Sequence, residues 1–246
     1  DMAEAGKFAA WRPVTGEHWN AIFGGLILLS FTLPGAMLAF SKSRALPEEV
    51  AVALSFNGST QAVMMATPDD LEDFAVGFSL AEGIIARAGD VVSVEAIEAG
   101  EGIDVQVTLK DMASEALTVR RRRMAGPVGC GLCGIESIEQ ASRAVRPVGS
   151  DDVRLSAREI ADAMTLLGAA QALNRQTRAV HAAGFYSPDD GLVAVREDVG
   201  RHNALDKLVG AVLLGGWVAS LGAVVVTSRL SVEMVQKTAA LGAPLL

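Results

Sequence analysis

The chain contains two cysteines, and both fall in one short motif, Cys130-Gly131-Leu132-Cys133. Gly126, Gly129 and Gly134 surround it, a setting that favours an exposed loop able to bring sulfur close to another molecule. Just upstream runs Arg120-Arg121-Arg122-Arg123. Neighbouring cations lower a thiol's pKa and enlarge the thiolate fraction, the reactive form. Guanidinium groups also grip phosphate oxygens in pairs. The stretch therefore offers a nucleophile beside an anion site. A thiolate can carry a terminal sulfur as a persulfide, and a second thiol can help release it by exchange. Cys130, nearer the arginines, is the expected carrier, with Cys133 as its partner.

Other chemistries fit the same pair less well. A structural zinc site needs four ligands, and only His18, His181 and His202 are available to supplement the cysteines. A thioredoxin-type pair opens a helix directly after a strand, which the surrounding glycines disfavour. Zinc-dependent deaminases place His-x-Glu ahead of Pro-Cys-x-x-Cys. Here no His-x-Glu occurs, so the acid/base carboxylate of that reaction is missing. The arginine run also reads as a solvated face or as alternate positions of a strand.

Two further polar stretches follow apolar runs. Arg196-Glu197-Asp198-Val199-Gly200-Arg201-His202-Asn203-Ala204-Leu205-Asp206-Lys207 is the densest. It leaves a predicted strand and opens a helix, a position whose free N–H groups suit an anion. Arg201 and His202 are the candidates there for a phosphate or a purine. Asp198 or Asn203 reads equally as a helix cap, and Asp206 and Lys207 as surface charges. Thr227-Ser228-Arg229-Leu230-Ser231-Val232-Glu233-Met234 repeats the plan. Ligands of open α/β sheets gather where strands end and helices begin, which nominates Arg229. Ser231 reads as an N-cap and Glu233 as an early-helix acid.

The elements that must position these residues are legible. Val50, Val52, Leu54 and Phe56 alternate as in a half-buried strand, Asn57-Gly58 is a hairpin turn, and Thr60–Met65 returns. Thr67-Pro68 is expected to cap and open a helix that Gly83 ends. Strands are expected near Val91–Ile97 and Ile103–Leu109. Ser156 and Glu159 form a capping box ahead of a helix with Ile160, Met164 and Leu167 on one face. Strands over Val180–Tyr186, Leu192–Arg196 and Ala223–Thr227 alternate with helices over Asn203–Leu214 and Ser231–Ala240. The expected class is α/β, a mixed sheet with flanking helices.

Composition sets outer limits. The chain is 50% hydrophobic, 5% aromatic and 20% charged, with a net charge of −8. That balance fits a globular α/β core and argues against general nucleic-acid binding. Two thiols do not make a disulfide framework, and their chemistry prefers a reducing compartment, so a cytoplasmic location is expected. Residues 1–45 read apart from residues 46–246, which form the main domain. Ala21–Phe40 is uncharged and long enough to cross a bilayer, with Lys42 and Arg44 behind it. Gly24, Gly25, Pro34 and Gly35 weigh against a span, leaving a membrane anchor, a buried helical hairpin, a targeting segment or a wrongly assigned start open.

Taken together, these motifs resemble the formate dehydrogenase accessory sulfurtransferase family over about residues 47–244. The likeness rests on Arg120–Arg123 with Cys130-Gly-Leu-Cys133-Gly134, on His181-Ala-Ala-Gly184, on Arg196–Lys207 and on Ser228–Val235. Met64-Met65-Ala66-Thr67-Pro68-Asp69-Asp70-Leu71 adds to it. The resemblance implies a cytidine-deaminase-like scaffold without deaminase chemistry. It implies a homodimer that takes sulfur from a cysteine desulfurase and passes it to bis-molybdopterin guanine dinucleotide, the molybdenum cofactor of formate dehydrogenase. Cys130 is then the persulfide carrier, and Arg121, Arg123, His181, Arg201, His202 and Arg229 are cofactor-binding candidates. No metal ligand set is expected. The alternative is a non-catalytic chaperone that only binds and delivers the cofactor.

Three departures accompany the likeness. Residues before Pro47 have no counterpart, and Gln176-Thr177-Arg178-Ala179 replaces the usual Thr-Gly-Gly. The sequence stops at Leu246, where similar proteins continue through a further strand–helix–strand with cofactor contacts, so weaker cofactor retention is expected.

Overall fold

The computed structural model describes residues 45–110, 147–149 and 153–246. The first sheet comprises β1 (Val50–Phe56), β2 (Ser59–Ala66), β3 (Val91–Ala99) and β4 (Gly102–Leu109), in the order β2-β1-β4-β3. Its outer pairs are antiparallel and its central pair, β1 with β4, is parallel. The second sheet holds β5 (His181–Ser187), β6 (Gly191–Asp198) and β7 (Ala223–Val226), antiparallel throughout, in the order β6-β5-β7. The mixed α/β class expected from the sequence is what the chain adopts, with its strands divided between two sheets.

Five α-helices lie among the described residues: α1 (Leu71–Ala81), α2 (Ala157–Ala170), α3 (Ala172–Thr177), α4 (Arg201–Leu214) and α5 (Val232–Leu241). The layers follow from which faces are apolar. Val52, Leu54 and Phe56 of β1 and Val105 and Val107 of β4 pack on Phe74 and Phe78 of α1. Phe185 and Val224 of the second sheet pack on Leu205, Leu208, Val209 and Val212 of α4, with Met234 of α5. Helices α1 and α4 then meet directly between the two sheets.

That meeting requires glycine on both sides. A Cβ at Gly77 would stand 1.7 Å from the carbonyl oxygen of Asp206, and a Cβ at Gly210 would stand 1.9 Å from that of Asp73. Each helix thus presses its backbone against the other through a residue with no side chain. This close approach lets one helix pair cover the apolar faces of both sheets.

Local signals mostly hold. Asn57 and Gly58 sit at φ 46° and 77°, the left-handed pair a two-residue hairpin needs. Asn57 Oδ1 also accepts from the Leu109 N–H at 2.8 Å, tying the hairpin to β4. Ser156 and Glu159 exchange the hydrogen bonds of a capping box at the start of α2.

Two expectations need correction. Helix α1 starts after Asp70, not at Thr67-Pro68, because Thr67 is engaged elsewhere. On α2 the buried stripe is Ala163 and Leu167, while Ile160 and Met164 are 51% and 41% exposed. Leu167 reaches the face of the second sheet opposite α4, beside Gly184.

Candidate functional site

The site lies at one end of the second sheet, where two strand-to-helix junctions stand side by side. Strand β6 ends at Asp198 and α4 begins at Arg201; β7 ends at Val226 and α5 begins at Val232. Strand β5 lies between them and starts at this end, so His181 pairs directly with Asp198. Thr227 closes the other side: its N–H donates to the Ala182 carbonyl at 3.0 Å, and its Oγ1 accepts from the Ala182 N–H at 2.9 Å. The topology thereby gathers His181, Arg201, His202 and the Thr227–Glu233 loop from three separate parts of the sequence.

Beneath them Asp198 is fully buried and fully bonded. Its Oδ2 accepts from the Thr67 N–H at 3.0 Å and from Lys207 Nζ at 2.7 Å. Its Oδ1 accepts from the Gly200 N–H at 2.7 Å and from Asn203 Nδ2 at 3.0 Å. Lys207 Nζ also donates to the Thr67 carbonyl at 2.8 Å, and the Val199 N–H donates to Thr67 Oγ1 at 3.2 Å. Asn203 Nδ2 donates to the Met65 carbonyl at 2.9 Å. This node locks the β6–α4 turn onto the loop leaving β2, so the start of α4 is held by the first sheet as well as the second.

A second polar chain runs between α4 and α5. His202 and Asp206 lie one turn apart on α4, and Glu233 and Lys237 one turn apart on α5. Lys237 Nζ donates to both carboxylate oxygens of Asp206 at 2.7 Å. It stands 3.5 Å from Glu233 Oε1, and Glu233 Oε2 stands 3.3 Å from His202 Nε2. Ser231 Oγ, the cap of α5, lies 3.4 Å from the same His202 nitrogen. Burial, then the Arg201 and Lys237 cations, push the His202 pKa down to about 4. Burial first, and then Arg201, lower His181 too. Both shifts disfavour the charged imidazole, and Arg201 is the cation common to both.

Burial pushes Asp206 up to about 6 against the opposing pull of Lys237. Glu233 is raised mainly by burial. Among the described residues no group of three or more His, Cys, Asp or Glu could hold a metal ion. No described helix is long and apolar enough to cross a membrane.

Of the residues singled out in the sequence, His181, Arg201 and His202 converge, and Arg229 sits exposed in the loop that enters α5. Cys130, Cys133, Arg121 and Arg123 lie outside the described residues, as does the apolar run 21–40. Asp206 and Lys207, readable as surface charges, are buried in ion pairs. Asp198 and Asn203 are not the helix cap, which is Gly200.

The sequence pattern of the FdhD/NarQ family matches residues 47–246. The chain belongs to this family. It is 64% identical to the sulfur carrier protein FdhD of Agrobacterium fabrum over 82% of this chain and 75% of that one. It is 53% identical to the protein of the same name from Cupriavidus necator, over 81% of this chain and 69% of that one. The crystal structure of a candidate formate dehydrogenase accessory protein from Desulfotalea psychrophila superposes with a TM-score of 0.59 at 27% identity. That match covers 83% of this chain and 74% of the other.

In this member of the FdhD/NarQ family, the sequence reading gave Thr67 the part of a helix cap, Lys207 that of a surface charge and Glu233 that of an early-helix acid, and did not single out Lys237. Asn203–Val212 is buried along its whole length, a result of packing that the sequence does not display, and a helix covered on all sides has no solvated face for Asp206 and Lys207. Adjacent charges of opposite sign on such a helix point in different directions, so each requires its own distant partner.

Proposed function

We propose that this chain is a sulfur carrier that accepts sulfur as a persulfide on Cys130 and delivers it to bis-molybdopterin guanine dinucleotide for a formate dehydrogenase. The reading is carried by one observation: a chain 64% identical to a sulfur carrier protein has its two cysteines in a single motif close behind four arginines. The sulfur donor is a cysteine desulfurase. The Cys130 thiolate attacks the terminal sulfur of the donor's persulfide; one S–S bond forms, the other breaks, and the donor cysteine leaves as a thiolate. Cys133 then attacks Cys130 and expels the terminal sulfur toward the cofactor. The resulting disulfide is reduced by a cellular thiol before the next cycle. This chemistry belongs in the cytoplasm, where thiols are kept reduced.

The cofactor is the substrate, and the described residues suit its parts. Arg201 and Arg229 are matched to its phosphates, in concert with Arg121 and Arg123. His181 and His202, neutral and half-buried, are matched to hydrogen-bonding edges of the guanine. The working unit is a homodimer. A chain that merely chaperones the cofactor would use the same loops without the thiols. The test is rescue of formate dehydrogenase activity in cells lacking their own carrier. Cys130→Ala is expected to abolish rescue and Cys133→Ala to impair it less. Full rescue by Cys130→Ala would establish the chaperone instead.

A further inference from the structure

One oxygen at the site lacks a hydrogen bond. Glu233 Oε2 is buried among the described residues without a hydrogen-bond partner. It faces His202 Nε2 at 3.3 Å, with the two side chains 16% and 17% exposed. Glu233 is not free to turn away. Its other oxygen lies 3.5 Å from Lys237 Nζ, and that ammonium is pinned by both oxygens of Asp206. Asp206 in turn is one turn below His202 on the same helix. The four side chains close a ladder between α4 and α5, and its open end is the imidazole.

A carboxylate can only accept hydrogen bonds, so of the two neutral tautomers it favours the one with the proton on the ring nitrogen that faces it. A lone pair at Nε2 would face a buried negative oxygen in a medium that screens little. Ser231 Oγ, 3.4 Å from Nε2, accepts from the Met234 N–H and keeps a second lone pair for an Nε2–H; its own O–H would donate to Nε2 only in the other tautomer, which the facing carboxylate opposes. Neutral imidazole has one protonated nitrogen, so a proton on Nε2 leaves a lone pair on Nδ1. Nδ1 makes no hydrogen bond with any described residue, and solvent reaches the ring.

We propose that Glu233 is a positioning residue that fixes His202 as the Nε2–H tautomer, so that Nδ1 offers the ligand a hydrogen-bond acceptor. The group it recognises is an N–H or O–H donor, such as an amino group or ring N–H of a base or a sugar hydroxyl. It does not recognise a phosphate oxygen, which would need a donor. This deepens the proposed function by dividing the labour at the site: the arginines take the anion and His202 reads a donor-bearing edge. Of the two expected partners for His202, a phosphate or a purine, it favours the purine.

The assignment is open to a direct test on the full chain. The protein has three histidines, so ring ¹⁵N spectra are simple, and His202→Gln identifies the relevant signals. At pH 7.5 the wild-type His202 ring should be neutral with Nε2 protonated and Nδ1 bare. Glu233→Gln, whose amide both donates and accepts, should release the bias and give a mixture of tautomers. Ser231→Ala should leave the tautomer unchanged. An Nδ1–H or charged ring in the wild type overturns the proposal, even if Glu233→Gln fails to fold. An unchanged tautomer in a folded Glu233→Gln protein overturns it as well.

Guanosine diphosphate supplies the second arm. Its addition should shift the Nδ1 resonance, and Glu233→Gln should weaken its affinity about tenfold. Binding that leaves Nδ1 unmoved overturns the recognition role. Absence of any nucleotide binding removes the guanine reading of the site, and the ring measurement on the free protein still decides the role of Glu233.

Discussion

Lys207 Nζ stands 2.7 Å from Asp198 Oδ2, with neither side chain reached by solvent. The pair joins residues only nine positions apart in the sequence, yet it holds the loop after β2 against the start of α4 through Thr67. Removing one partner strands a buried charge, which costs about 3–5 kcal/mol. Asp198→Asn is therefore expected to lower unfolding free energy by about that amount in urea denaturation. It should also weaken nucleotide binding, since Arg201 and His202 stand on this turn. Lys207→Met should cost the fold a similar amount.

The α1–α4 contact makes an independent prediction. Gly77→Ala and Gly210→Ala each drive a methyl into a facing carbonyl and must force the helices apart. The expected loss is about 1–3 kcal/mol or more per site. Gly168 in α2 has nothing within 4 Å of where its Cβ would stand. Gly168→Ala should accordingly stabilise the protein by about 0.5–1 kcal/mol. Thermal melts of the three variants will show whether the signs divide this way.

The elements were legible where a local pattern decides them. The β1 alternation, the Asn57-Gly58 turn and the Ser156–Glu159 box each act within a few residues. The start of α1 was not, because Thr67-Pro68 has the chemistry of a helix opening. What diverts Thr67 is Asp198 and Lys207, more than a hundred positions away in the chain. The site followed the same division. The strand-to-helix junctions that carry the candidate residues could be read from the sequence. The ladder from His202 to Asp206 could not, since it depends on how α4 and α5 cross.

His202 ties stability to pH. Its folded pKa of about 4 lies below the unfolded value of 6.5, so the unfolded chain binds the extra proton first. Its contribution is present above about pH 6.5 and is lost as pH falls toward 4, by up to about 3 kcal/mol. Burial raises Asp206, Glu233, Asp73 and Asp69, and these carboxylates oppose the trend. The useful quantity is thus a difference: between pH 7 and pH 4.5, wild type should lose more stability than His202→Gln. Equal losses in urea titrations would place the ring's pKa near its ordinary value.

Arg229 is exposed and carries charge at the mouth of the second junction. Arg229→Ala should weaken guanosine diphosphate binding about tenfold, the effect of one charge-assisted hydrogen bond. Raising salt should weaken the wild type more than the variant, because one phosphate contact is already gone. Calorimetric titration at two ionic strengths measures both. Equal affinity in wild type and variant would remove Arg229 from the site.

The central claim is that Cys130 carries sulfur. It is tested most directly by incubating the protein with a cysteine desulfurase and cysteine and then measuring its mass intact and after proteolysis. The account predicts the gain of one sulfur atom on the peptide containing Cys130, reversed by a thiol reductant and absent from Cys130→Ala. A chain that gains no sulfur under conditions that load a known acceptor, or that gains it equally without Cys130, would contradict the account.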